Sequence, residues 1–152
     1  MTAYDLLEMV AGDIAKNWAP SHRAVVKVAE DPAHALDLLC AGMPGFCLVV
    51  LFYVSDTAGG DDFSGDVCTD AQIRVGMTQS AGVLRKRDGK TPPPVLRNQG
   101  ELRKWLESRS YEGLLEGLTY RGMQYIPTQD GKALNGYALT YGALYPHDID
   151  DD

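Results

Sequence analysis

The feature that most constrains the fold is a run of nine apolar residues, Phe46 to Val54, with the sequence FCLVVLFYV. β-Branched and aromatic residues are frequent in it, and its length suits a strand better than a helix. A strand with one face in water alternates apolar and polar residues, whereas every position of this run is apolar. The run therefore predicts a central β-strand that other parts of the chain cover on both faces.

The segment before this run predicts a helix and then a short strand. Thr2 and Asp5 have the spacing of a capping box, in which each side chain accepts from a backbone amide of the other residue. Apolar residues then recur at helical spacing, which predicts an amphipathic helix over residues 3 to 17. The β-branched segment Ala24 to Ala29 predicts a strand.

A second helix should begin at Asp31-Pro32, because Asp accepts from first-turn amides and Pro is favoured at the first helical position. Gly42 fits the positive-φ position just past its end. By composition, Ser55 to Asp66 is a loop. Alternating residues over Ala71 to Gln79 then predict a strand with one buried face.

The segment Ser80 to Arg97, SAGVLRKRDGKTPPPVLR, is long for a connection without secondary structure. Asp88-Gly89 would turn a hairpin with a basic tip, and Pro92 to Pro94 would stiffen the return into an extended rod. We therefore predict a protruding arm at about 82–97. Asn98 with Glu101 should then cap a third helix.

The last third predicts a hairpin of two strands, Leu118 to Ile126 and Leu134 to Tyr145, around a turn at Asp130-Gly131. The element order is α-β-α-β-β-α-β-β. This order predicts one α+β domain over residues 1–147, with a mixed, mostly antiparallel sheet packed with helices. Residues 148–152 form an acidic tail, which we interpret as solvated.

The formal net charge of −7 argues against general nucleic-acid binding, because a phosphate backbone attracts basic surfaces. No apolar run approaches the ~18 residues that a membrane span needs. The N-terminal residues lack the basic start and apolar stretch of a secretory signal, so we expect the chain to be made and kept in a cytosol.

The search for catalytic and metal sites yields no convincing motif. The three histidines, His22, His34 and His147, have no Ser or Cys nucleophile beside them, and surface or packing roles are favoured. A zinc site can be imagined from His34, Cys40, Cys47 and Cys68, but structural zinc usually takes closely spaced ligand pairs. The acidic loop around Asp61 does not match the calcium-loop pattern either. We expect no catalytic residue, no metal and no cofactor.

Two features are candidates for contacts with other molecules. The basic tip from Arg85 to Lys90 is equally consistent with a solvated turn and with a contact to DNA or to an acidic neighbour. Tyrosines of the last two strands belong more often to a core than to an interface, although Tyr is enriched where surfaces meet. The candidate interface residues are Arg85, Lys86, Arg87, Lys90, Asp61, Asp62, Phe63, Tyr137 and Tyr141.

Three stretches carry a family resemblance: QIRVGMTQSAGVL from Gln72, ELRKWLES from Glu101, and TYRGMQYIPTQDGKALNGYALTYGALYP from Thr119. Together they resemble the tail-terminator and neck proteins of tailed phages. The resemblance covers the second half of the chain well and the first half only in the order of its elements. The proline-bearing arm departs from the family pattern.

The resemblance implies a structural function in the virion. Such proteins form a ring, typically a hexamer, that caps the tail tube and joins it to the head. The implied partners are further copies of the chain, the tail tube protein and the head–tail connector protein, with DNA passing through without specific binding. The implied location is the phage tail or neck, after synthesis in the bacterial cytoplasm.

Two other interpretations stay open at this point. The chain is also consistent with another tail or baseplate component of the same architecture. A small bacterial enzyme or ligand-binding domain is the alternative from a different class, and it predicts a concave site where titratable groups converge, such as His34 facing Cys47.

Overall fold

The computed structural model describes residues 2–42, 46–61, 67–80, 94–126 and 134–146. Its helices are α1 (Ala3–Asn17), α2 (Pro32–Ala41) and α3 (Pro94–Glu107), with a 3-10 turn at Ala19–His22. Its strands are β1 (Ala24–Val28), β2 (Cys47–Asp61), β3 (Val67–Ser80), β4 (Leu118–Tyr125) and β5 (Leu134–Pro146). The predicted α+β class and the predicted element order are confirmed.

The five strands form one sheet in the order β1-β2-β3-β5-β4. β1 runs parallel to β2, and the other three pairings are antiparallel. The edge strands are therefore β1 and β4. β1 pairs with β2 only from Cys47 to Leu51, so the rest of β2 extends past the end of its neighbour.

The central strand β2 is covered on both faces, as the apolar run predicts. Val49 and Leu51 lie in the larger core, and Leu48, Val50 and Phe52 lie in a smaller core on the opposite face. α1 and α3 cover the larger core, and α2 covers the smaller one through Ala35 and Leu39. Successive side chains of a strand point to opposite faces, so a strand between two helical layers needs apolar residues throughout.

Gly76 of β3 allows α2 to lie close to the sheet. A Cβ atom at this position would lie 2.7 Å from Cδ1 of Leu39. The neighbouring Thr78 hydroxyl donates to the Leu39 carbonyl oxygen at 3.1 Å. The face of β3 that carries Gly76 and Thr78 is therefore covered by α2 at this end.

The start of α1 has the capping box that Thr2 and Asp5 predict. The Asp5 amide donates to the Thr2 hydroxyl at 3.1 Å, and the Thr2 amide donates to the Asp5 carboxylate at 3.0 Å. These bonds satisfy first-turn donors that have no partner within the helix. The bounds of α1 match the predicted range. Gly42 has a φ of 67° after α2, which is the positive value that its position predicts.

Two predictions of local structure are wrong. Ser55 to Asp61 is strand and not loop, because it pairs with β3 from Ser55↔Gln72 to Asp61↔Val67. Pairing across the sheet overrides its small and polar composition. The third helix begins at Pro94 and not at Asn98, so residues 94–97 of the predicted arm belong to α3. Proline is favoured in the first turn of a helix, where its missing amide costs nothing.

Candidate functional site

The predicted interface residues fall into two groups. Arg85, Lys86, Arg87, Lys90, Asp62 and Phe63 lie outside the described residues, and Asp61 is the last residue of β2. Tyr141 is 0% exposed, so its ring belongs to the core and its assignment to an interface is corrected. Tyr137 is half-buried against the larger core and packs edge-on to Tyr125 with ring centroids 5.7 Å apart.

The edge strand β4 carries exposed apolar residues that the sequence analysis did not single out. Tyr125 is 53% exposed and Met123 is 42% exposed. A β-bulge at Arg121 interrupts the pairing of β4 with β5, between Tyr120↔Tyr141 and Gly122↔Thr140. The only sequence signal for this surface is the presence of Met and Tyr in the first strand of the predicted hairpin.

A network around Asp13 connects α1 to the segment that follows α3. Arg109 donates to the Asp13 carboxylate through Nε at 2.9 Å and through Nη2 at 2.7 Å. The Tyr111 hydroxyl donates to it at 2.8 Å, and Asn17 Nδ2 donates at 2.7 Å. Burial alone would raise the pKa of the Asp13 carboxyl, but hydrogen bonds from Arg109, Asn17 and Tyr111 lower it. The network has the geometry of a structural link between α1 and the segment that follows α3.

His22 also has a structural position. Its ring stacks on Trp18 with centroids 3.9 Å apart, and its Nδ1 lies 2.9 Å from the Trp18 carbonyl oxygen. Its Nε2 lies 2.8 Å from Oε2 of Glu101. The ring therefore connects the end of α1 to α3.

His34 and Cys47 do not face each other as the hypothesis of a small enzyme predicts. Nδ1 of His34 accepts from the Glu30 amide at 3.2 Å at the start of α2. Cys47 lies in the larger core on the other face of the sheet, where its thiol contacts Asn98. In the described parts of the chain, no three His, Cys, Asp or Glu side chains are grouped as a metal site.

Burial raises the pKa of the Cys47 thiol to about 12, against a weaker lowering by the hydrogen bond with Asn98. At pH 8 the reactive thiolate is then only about one part in ten thousand. We expect iodoacetamide at pH 8 to leave Cys47 of the native protein unmodified and to modify it fully in guanidinium chloride. Peptide mass spectrometry measures this, and rapid native labelling of Cys47 would show that the site is open to solvent.

An open groove of about 800 Å³ lies between α1 and the edge strand β1. Leu7 and Ala11 of α1 and Val26 and Val28 of β1 contribute apolar surface to it. Its polar lining comes from the side chains of Tyr4, Glu8, Glu30, His34 and Tyr53. Both formally charged lining residues are glutamates, and both are exposed. The groove is therefore an apolar channel with an acidic rim, and it runs beside a free strand edge.

The opposite face of the sheet has a polar cover where α2 does not reach. Arg121 of β4 donates to both carboxylate oxygens of Asp70 at 2.9 and 3.0 Å, and its guanidinium lies against Gly142 of β5. Arg74 Nε donates to the Thr140 hydroxyl at 3.3 Å. The polar groups of this area are paired with each other by one ion pair and a hydrogen bond, so the α1–β1 groove and the β4 edge are the stronger candidates for binding.

A scan against protein-family models found no match for the chain, and a search of curated proteins found none either. Within the described residues, no helix is both long enough and apolar enough to cross a membrane.

Proposed function

We propose that this chain is a structural subunit of a tailed-phage virion, which forms a ring that caps the tail tube and joins it to the head. The observation that carries the proposal is a sheet whose edge strands, β1 and β4, each pair on one side only within the described residues. An unpaired strand edge can pair with another chain, and charge, bulges and proline oppose such pairing. β4 has one bulge, at Arg121, which lies before Met123 and Tyr125. Two different contact surfaces on one subunit are what a head-to-tail ring requires.

The exposed apolar residues support an interface at the β4 edge. Met123 and Tyr125 lie on the same strand, and Tyr125 is held by its edge-on contact with Tyr137. Met and Tyr are enriched in protein interfaces, where the hydroxyl of Tyr can form a hydrogen bond while its ring is buried. The net charge of −7 is consistent with a ring through which DNA passes without binding, because like charges repel.

The mass of the purified protein in solution tests the proposal. One copy has a mass of 16.6 kDa, so a hexamer has six times this mass, about 100 kDa. We expect light scattering during size-exclusion chromatography to give a closed oligomer and negative-stain images to show rings. A monomer at all concentrations, with no ring in the presence of tail tube protein, would contradict the proposal.

The edge contact gives a second test with a matched control. Met123→Lys with Tyr125→Lys should weaken self-association at least tenfold, because a lysine at a packed apolar contact costs more than ~1.4 kcal/mol. Glu112→Lys with Glu116→Lys places the same two lysines at exposed positions away from β4 and should leave association unchanged. Equal behaviour of the two double variants would exclude the β4 edge from the interface.

The groove is the observation that favours the alternative of a small ligand-binding domain. Its volume of about 800 Å³ is within the usual range for small-molecule sites. This alternative predicts a monomer and a small molecule retained at the groove, which native mass spectrometry of the freshly purified protein would detect. Another tail or baseplate component would instead associate with a different partner and form no closed ring alone.

A further inference from the structure

We infer that the α1–β1 groove binds the basic segment 81–93 of a neighbouring copy, as an extended strand added to the edge of β1. The inference rests on the proposed function, because it requires that copies of the chain associate. It deepens that proposal by naming one of the two contact surfaces and its occupant. Three features support this contact: the backbone of β1, the charge of the groove and the reach of the segment.

Within the described residues, β1 pairs with β2 alone and its other edge carries no strand. The Cys47 amide donates to the Arg23 carbonyl, and the Ala29 amide donates to the Leu51 carbonyl. Backbone groups of a parallel strand alternate in direction, so those of Val26 and Val28 point away from β2 toward the free edge. The side chains of the same two valines line the groove. An extended segment would thus find hydrogen-bond partners and an apolar channel at one place.

The negative charge of the groove indicates which segment of the neighbouring copy binds there. Among the described residues, Glu8 and Glu30 are the acidic residues that line the groove. Segment 81–93 has four basic residues and one acid, so its formal charge is +3, whereas segment 62–66 is −2 and the C-terminal 147–152 is −4. Segment 127–133 is neutral, and 43–45 has no charge. Of these segments, 81–93 is the one whose positive charge complements the rim.

The order of residues within the segment also fits. Val83 and Leu84 are apolar, and three basic residues, Arg85 to Arg87, follow them directly. In an extended strand Val83, Arg85 and Arg87 share one face, so Val83 suits the channel and the two arginines can reach the glutamates of the rim. Prolines occur only at the end of the segment, at Pro92 and Pro93, so the preceding residues keep the amides that a strand ladder needs.

The reach of the segment indicates a second copy. The 81–93 segment leaves the sheet at Ser80 of β3 and returns at Pro94 of α3. A segment of thirteen residues that must leave the domain and return to it can reach about 22 Å from its ends, because only half of its length, at ~3.4 Å per residue, leads outward. Passing β2 and β1 to the free edge takes three strand spacings, about 14 Å. The remaining ~8 Å is too short to lie along β1 of the same copy.

A photo-cross-link tests this contact directly. The full-length protein carries p-benzoylphenylalanine in place of Val83 and is mixed from ¹⁵N-labelled and unlabelled copies. After irradiation and digestion, we expect cross-links to peptides of α1 and β1, with pairs of mixed isotope composition. Cross-links only between peptides of equal isotope composition would place the segment in its own groove, and cross-links confined to other surfaces would exclude the groove. Either result would overturn the inference.

The second test reverses the charges on the two sides of the contact and measures self-association. Glu8→Lys with Glu30→Lys should weaken self-association at least tenfold, because like charges then face each other across the contact. Arg85→Glu with Arg87→Glu should do the same, and combining the four changes should restore at least half of the lost affinity. Glu112→Lys with Glu116→Lys is the matched control, and circular dichroism confirms that each variant is folded.

The outcomes separate the inference from the proposed function. A wild-type ring that survives both charge reversals unchanged would overturn the groove contact and leave the ring in place. A wild-type protein that never associates would overturn the ring and the groove contact together. Loss of association in both reversals with recovery in the fourfold variant supports both.

Discussion

Replacing Tyr141 by Ala should lower the free energy of unfolding by about 3–5 kcal/mol, as large-to-small changes at fully buried aromatic positions do. Tyr141 is 0% exposed in the larger core, and its ring packs edge-on against Tyr120 with centroids 5.7 Å apart. β5 lies between β3 and β4, so a cavity at this position removes contacts at the centre of the sheet. Urea unfolding followed by tryptophan fluorescence measures the change.

Tyr141→Phe is the control that separates the ring from its hydroxyl. The Tyr141 oxygen is buried and has no hydrogen-bond partner within the described residues. Burial raises the pKa of this hydroxyl well above its usual value, so it stays protonated at all working pH values. A buried polar group without a partner costs about 1–3 kcal/mol, so we expect Phe to be neutral or stabilising. A large loss of stability in Tyr141→Phe would show that the hydroxyl has a partner in solution.

Replacing Asp13 by Ala should lower the free energy of unfolding at pH 7 by about 2 kcal/mol, because three donor groups lose their acceptor. The carboxylate is 11% exposed and the Arg109 side chain is 38% exposed, so solvent screens part of the ion pair. The loss should appear in urea unfolding. Glu107→Ala is the matched control, since its contact with Arg103 is an exposed pair within one helix and should contribute little.

The Asp13 effect should depend on pH in a defined direction. The folded-state pKa of Asp13 is lower than its unfolded value, which lies near ~3.9. Its contribution is therefore fully present above pH ~4 and is lost as the pH falls through the folded-state pKa. The difference in stability between wild type and Asp13→Asn should be constant from pH 7 to 5 and shrink below pH ~4. A difference that grows on acidification would contradict the network.

The apolar run at β2 and the capping box at α1 show which parts of the fold local sequence can predict. Both predictions depend on residues that are adjacent or one helical turn apart, and both match the structure. The two wrong predictions concern segments whose secondary structure depends on residues that are distant in the sequence. Ser55 to Asp61 is polar and small, yet it is strand because β3 provides partners for its backbone. Pro94 fits a rod as well as a helix start, and the burial of Val95 and Leu102 in the larger core favours the helix.

For the candidate binding surfaces too, the sequence predicts some features and only the tertiary structure shows the others. The basic segment 81–93 is visible in the sequence as a concentration of charge. The groove that we assign to it is not visible, because Leu7, Val26 and Tyr53 become neighbours only when α1 packs against the edge of the sheet. Tyr137 and Tyr141 share one strand face in the sequence pattern, and only packing distinguishes the half-buried ring from the fully buried one.

The sequence by itself determined the α+β class, the order of the elements and the two-sided burial of β2. These depend on hydrophobic periodicity and on capping residues, which act over a few positions. Only the tertiary structure decided the strand order, the open edges at β1 and β4, the acidic rim of the groove and the Asp13 network. Each of these joins residues far apart in the chain, and their contacts depend on how the layers pack.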